Sequence, residues 1–310
     1  MSTTEPAASP ASAQLRLDEA NELLAAWACM RADVAGIRVL VIKGRPLADD
    51  GLRAPRVSAD VDLLVDPDRF DDYCATVTDA GWTEFPSTFA SSHFTLHSRS
   101  FRKDGWPNSF DVHSEYPGFL QSPAVAFDAL WSSRRTAVFA HRDCPVPSRA
   151  GGALMLALHS LRGTHKQPRH HDELTQLARV AWTDAERADL ADLALATGCA
   201  GPLRAVLTEW GVTVSPDPTL DATPAAIEWH RKVAEAQGAA ASWLALLARA
   251  PWRQKPAVVA RALWPSRADF AIDHPEIEDR AWPQVRARIA RWGRGIRRAP
   301  AAIVALRRRT

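Results

Sequence analysis

The sequence predicts an α+β protein: a mixed β-sheet flanked by helices in the first half, followed by an all-helical second half. Three observations carry this expectation. Strand and helix patterns alternate up to residue 81, two segments between 93 and 113 alternate polar with apolar residues, and strand signals nearly vanish after Ala150. The expected organisation is a disordered leader over 1–13, an α/β core over 14–150 and a helical domain over 151–310 with a basic C-terminal segment.

From Gln14 to Ala35 the residues Leu17, Ala20, Leu24, Trp27 and Val34 recur at helical spacing, and Gly36 stops the helix. Ile37 to Ile42 is a short β-branched run, read as a buried strand. Lys43-Gly44 ends it, and Pro46 suits the first turn of a short helix. Val61, Leu63, Leu64 and Val65 form a second strand entered through Asp60. Asp66-Pro67 then supplies an N-cap and a first-turn proline for a helix that Gly81 ends. His93 to His97 and Ser109 to His113 alternate, with the turn signal Asp104-Gly105 between them, which predicts a hairpin. Helical patterns follow at Leu154 to Leu161, Leu174 to Trp182, Ala185 to Ala196, Leu203 to Trp210, Ala225 to Ala248 and Val285 to Trp292.

With 310 residues and 46% hydrophobic content, a sizeable buried core is expected. No window is apolar enough to span a membrane, and the first residues lack the basic and apolar parts of a secretion signal, so a cytoplasmic protein is expected. Cys29, Cys74, Cys144 and Cys199 lie far apart without a C-x-x-C pair, which points to reduced thiols rather than a zinc ribbon or disulfide framework. Charge is polarised along the chain. Residues 251–310 hold fourteen Arg and Lys against five Asp and Glu, a net of +9 in a chain totalling +2. Such a segment suits nucleic acid, anionic lipid or an acidic partner, or is simply a solvated helix face.

The chemistry is expected at Asp60-Val61-Asp62. Residues i and i+2 of a strand share a face, so the two carboxylates stand side by side while Val61 points into the core. Adjacent carboxylates repel unless a cation shares them, and Mg²⁺ is the hard ion such a pair suits. Lys43-Gly44 offers a turn at which backbone amides can approach phosphate. Asp111 alternates with apolar residues on a later strand and supplies a third carboxylate. Three carboxylates beside a glycine turn are the minimum kit for two-metal phosphoryl or nucleotidyl transfer. His113 shares a face with Asp111, either orienting it or resting as a buried, hydrogen-bonded histidine. His93 and His97 share a face and are substrate-side candidates, as is Asp172. The cluster His159, His165, His170, His171 and Asp172 matches no defined zinc ligand spacing.

On these residues the chain resembles a bacterial family of uncharacterised nucleotidyltransferases within the polymerase-β-like superfamily. The matching pieces are Val41-Ile42-Lys43-Gly44, the run Arg56-Val57-Ser58-Ala59-Asp60-Val61-Asp62-Leu63-Leu64-Val65, and Phe110-Asp111-Val112-His113; His159, Asp172 and Leu263-Trp264-Pro265-Ser266 are weaker landmarks. The resemblance implies a nucleotidyltransferase-like sheet that transfers a nucleoside monophosphate from a triphosphate such as ATP to a hydroxyl. Asp60 and Asp62 would bind both Mg²⁺ (or Mn²⁺) ions, and Asp111 would complete the site and help activate the acceptor. Gly44 would cradle the triphosphate, while Lys43 and Arg56 would neutralise phosphate charge or orient the carboxylates. Arg45 stands where the superfamily places Gly or Ser, and would either clash with the nucleotide or add a phosphate contact. The acceptor is a small molecule, a peptide or protein, or RNA, and the resemblance favours a tailoring role in a biosynthetic cluster. The alternatives are a catalytically silent nucleotide- or protein-binding module of the same fold, and an RNA-directed transferase whose basic tail holds the backbone.

Overall fold

The structure is a computed structural model that describes residues 15–86, 89, 98–163, 168–215, 217–235, 243, 246, 247, 250–267, 269, 270, 277, 280 and 282–290. The leader 1–13, His93, His97, His165 and Trp292 lie outside the described residues.

Helix α1, Leu17–Ala35, buries Ala20, Leu24, Ala25, Ala28, Cys29 and Ala32 and ends on Gly36, whose φ of 62° only glycine adopts without strain. Val34, expected on its apolar stripe, is exposed. Strand β1, Val39–Ile42, is buried throughout, and the short helix α2, Arg45–Asp49, starts at Gly44 with Pro46 in its first turn. After β2, Asp60–Val65, the Asp66 side chain accepts from the Asp68 N–H and opens a 3-10 turn, Pro67–Arg69, which runs into α3, Phe70–Asp79. Strands β3 (Thr83–Glu84), β4 (Ser98–Arg102) and β5 (Ser109–His113) complete a five-stranded mixed sheet of order β1-β2-β5-β4-β3. Within it β2 and β5 are parallel and the other pairs antiparallel.

The hairpin predicted around Asp104-Gly105 forms, with Ser98–Arg102 as the described partner of β5; His93 to His97 lie outside the described residues. Only Phe101 on β4 is buried, so the strand carries almost no apolar alternation to read. The sequence patterns leave out β3, α4 (Pro123–Ser132), the hairpin of β6 (Arg135–Phe139) and β7 (Arg142–Val146), and the helical segments Pro218–Asp221 and Lys255–Leu263. Ala140 and His141 turn that hairpin with φ of 43° and 65°, a conformation usually written with Asn or Gly.

Helices follow: α5 (Arg149–Gly163), α6 (Pro168–Ala178), α7 (Asp184–Thr197), α8 (Arg204–Glu209), α9 (Pro218–Asp221), α10 (Pro224–Glu235) and α11 (Lys255–Leu263). The protein is therefore α+β, with a mixed sheet and a helical C-terminal region. None of the helices among the described residues is long and apolar enough to cross a membrane.

Strand alternation divides the core in two. Val39, Val41, Val61, Leu63, Val65, Phe110 and Val112 pack against α1 and α3. Leu40, Ile42 and Leu64 face the other way and join Phe127 and Leu130 of α4, Leu154 and Leu158 of α5 and Leu190 of α7. That second core is continuous across residue 150.

Gly118 sits at this junction with φ of 103°, and a Cβ there would meet Trp229 of α10 at 2.8 Å. Gly118→Ala combines a disfavoured backbone with overpacking and should cost about 2–4 kcal/mol, read from urea denaturation midpoints at unchanged m-value.

Candidate functional site

Asp60, Asp62, Asp111 and His113 stand on the sheet face that looks toward α5. Register places Ile42, Asp62, Asp111 and Ser100 in one row across β1, β2, β5 and β4, with Asp62 directly beside Asp111. Asp60 is opposite Ser109 and His113 opposite Leu64, each one step along the same face. Asp62, Asp111 and His113 each offer a ligand atom, and these atoms all lie within 4.8 Å of one another. Two of the carboxylates sought by sequence, Asp62 and Asp111, come together with His113, while Asp60 stands one step along the same face and outside that group.

Asp62 is buried, and its Oδ1 meets Lys43 Nζ at 2.6 Å and His113 Nε2 at 3.0 Å. Burial pushes this carboxyl up, but the Lys43 ammonium and the His113 hydrogen bond outweigh it and hold Asp62 well below the usual carboxylate range. Asp60, half-buried at the strand entry, goes the other way. Burial, then the charges of Asp62 and Asp111, raise its carboxyl. Such crowding is what a divalent cation relieves, and Asp62, Asp111 and His113, with Asp60 one step along the same face, offer donors that fit Mg²⁺ or Mn²⁺.

Lys43 Nζ reaches Asp62 because the backbone turns over at Lys43 and Gly44. A continued pleat would send its side chain to the Val41 face, whereas Lys43 and Gly44 have φ of 67° and 68° and turn the chain over. Arg53, buried and missed by sequence, donates from Nη2 to the Gly44 carbonyl at 2.7 Å and secures this turn. Burial, with Arg56 nearby, pushes its guanidinium down to about 10.

A cleft of about 650 Å³ opens beside the row, lined by Lys43, Gly44, Arg45, Arg56, Asp60 and Asp62 among others. Arg45 is held on its wall: it pairs with Glu22 at 2.8 Å and Asp49 at 2.7 Å, donates to the Val138 carbonyl and lies over the Phe139 ring. Arg56 Nη2 pairs with Glu173 Oε1 at 3.1 Å.

Glu173 is the residue that sequence reasoning passed over. It is buried on α6, accepts from Ser160 Oγ at 2.9 Å and meets His170 Nδ1 at 3.0 Å. Its neighbour Asp172, the sequence candidate, is exposed on the outer side of the helix. The buried stripe His170, Glu173, Leu177 has helical spacing, so the periodicity of α6 carried the signal. His159 of α5 packs its ring against His170 with centroids 4.9 Å apart.

Comparison with known proteins adds three findings. A family model described as uncharacterised nucleotidyltransferase matches residues 13–208. Among solved structures, an antigenic nucleotidyltransferase-like protein from Paracoccidioides brasiliensis is 14% identical, with 65% of this chain and 96% of that chain covered and a TM-score of 0.37. None of the curated proteins matches.

Burial, then the charge of Lys43, holds the His159 ring far below the ordinary histidine value, so it stays neutral in the folded protein. Unfolded His159 takes up a proton below about pH 6.5, and stability therefore falls as pH falls. Between pH 7.5 and 5.5 a His159→Phe variant should lose about 1 kcal/mol less stability than the unchanged protein in urea titrations. Equal losses would refute the neutral ring.

Proposed function

Because this chain belongs to the uncharacterised nucleotidyltransferase family, we propose that it moves a nucleoside monophosphate from a nucleoside triphosphate to a hydroxyl acceptor and releases pyrophosphate. The observation that carries the reading is the row pairing of Asp62 with Asp111, with Asp60 on the same face and a cleft bounded by Gly44.

In this reading Asp60, Asp62 and Asp111 would hold Mg²⁺ or Mn²⁺, which would supply charge to screen the phosphate oxygens and to acidify the attacking hydroxyl. Asp111, half-buried beside Asp62, accepts the hydroxyl proton. His113 fixes the orientation of the Asp62 carboxylate from below. The backbone at Gly44, where no Cβ intrudes, lets the triphosphate approach, and Lys43 and Arg56 supply positive charge around it. Glu173 sets the direction of the Arg56 guanidinium. Arg45 forms part of the cleft wall through its pairs with Glu22 and Asp49, an arrangement that favours a working site over a silent binding module.

The acceptor class is open to a small molecule, a peptide or protein side chain, or an RNA end, in a cytoplasmic tailoring step. The basic segment 251–310, with Trp252 and Trp282 exposed, suits an RNA or acidic partner. If RNA binds there, raising salt from about 50 to about 200 mM should weaken binding at least tenfold. Affinity indifferent to salt would discard RNA.

The deciding experiment supplies each α-labelled triphosphate with Mg²⁺ or Mn²⁺ and a cell lysate, and follows label transfer and pyrophosphate release. Asp60→Asn and Asp111→Asn should each lower transfer by at least about 10³-fold with the fold intact, since neither removes the buried partner of Lys43. Transfer that survives both substitutions would sink the assignment.

A further inference from the structure

We infer that Lys43 is a positioning residue that holds the place of a cation on Asp62, and that a divalent ion entering the carboxylate row frees its ammonium to take a phosphate in the cleft. The inference rests on the transferase reading and adds an order to it, metal before triphosphate.

Three observations support it. Lys43 Nζ lies 2.6 Å from Asp62 Oδ1, so an ammonium already neutralises the carboxylate that belongs to the three-residue ligand group. That same oxygen also meets His113 Nε2 at 3.0 Å, so a dication binding there would compete with Lys43 for it. And Lys43 is a non-glycine residue with a left-handed backbone at the mouth of the cleft, a conformation that persists where the surroundings enforce it.

An ammonium and a dication on one carboxylate repel each other across a few ångströms of low-dielectric surroundings. Each therefore weakens the other. His113 keeps its 3.0 Å contact to Asp62 Oδ1 and needs no displacement. Once displaced, the Lys43 side chain needs only rotations of its flexible stem to enter the cleft it already lines, next to Gly44. Metal and triphosphate would then bind with positive coupling, since the first releases the group that grips the second.

The test uses the full-length protein. Brief acetylation followed by mass spectrometry reads the exposure of Lys43, while electron paramagnetic resonance of Mn²⁺ in the same samples reads metal occupancy. Bound Mn²⁺ should speed Lys43 labelling about tenfold, and inorganic tripolyphosphate added with excess Mn²⁺ should slow it again. Lys43→Met should bind Mn²⁺ about tenfold more tightly without phosphate, and should lose most of the gain in tripolyphosphate affinity that Mn²⁺ confers. Labelling that stays unchanged while Mn²⁺ is bound overturns the inference, as does weaker Mn²⁺ binding by a folded Lys43→Met. If Lys43→Met does not fold, the labelling of the unchanged protein decides alone. A wild-type chain that binds no Mn²⁺ would overturn the metal-dependent transferase reading itself, so the two failures are distinguishable.

Discussion

The parallel pairing of β2 with β5 is the constraint on which the site depends. It sets Asp62 beside Asp111 and Leu64 beside His113, so all four side chains share one face. A slip of one residue would carry Asp111 and His113 into the apolar layer against α1 and α3 and bring Phe110 and Val112 out. The apolar residues of both strands forbid that slip, because Val61, Leu63, Phe110 and Val112 are buried in a core that has no place for charge. Hydrophobic packing on one face thus fixes the polar geometry on the other.

Carboxylates placed this deep are costly unless something answers their charge. Lys43 and His113 answer for Asp62, and the resulting pair is nearly dry. To make it, the chain accepts a left-handed Lys43, a conformation that costs an L-residue about 1–2 kcal/mol. Arg53 stabilises the turn from beneath by binding the Gly44 carbonyl. A second polar group, Arg56, Glu173, His170 and Ser160, brings α5 and α6 to the edge of the same region. The electrostatic plan therefore has a floor, the sheet, and a rim supplied by helices far along the chain.

Much of this was legible in the residues. Asp60-Val61-Asp62 announced two carboxylates on one face because strand periodicity is strict, and Pro46, Gly36 and Asp66-Pro67 marked helix ends for local steric reasons. What stayed hidden depended on partners distant in sequence. The Lys43–Asp62 pair requires a backbone reversal that no dipeptide rule predicts for lysine, and Arg53 has meaning only against the Gly44 carbonyl. On α6 the choice of Asp172 over Glu173 followed a resemblance where helical phase pointed inward at Glu173. The β6–β7 hairpin turns on Ala-His, residues that carry no turn signal, and β4 earns its place through backbone pairing rather than apolar content.

The core shared across residue 150 ties recognition to architecture. Leu40, Ile42 and Leu64, which underlie the acidic row, are covered by α4, α5 and α7 rather than by neighbours in sequence. Variation that reshapes those helices to admit a new acceptor would disturb the sheet carrying the chemistry. Divergence in this protein is therefore expected to concentrate in loops and outward helix faces, where a change of guest leaves the foundations undisturbed.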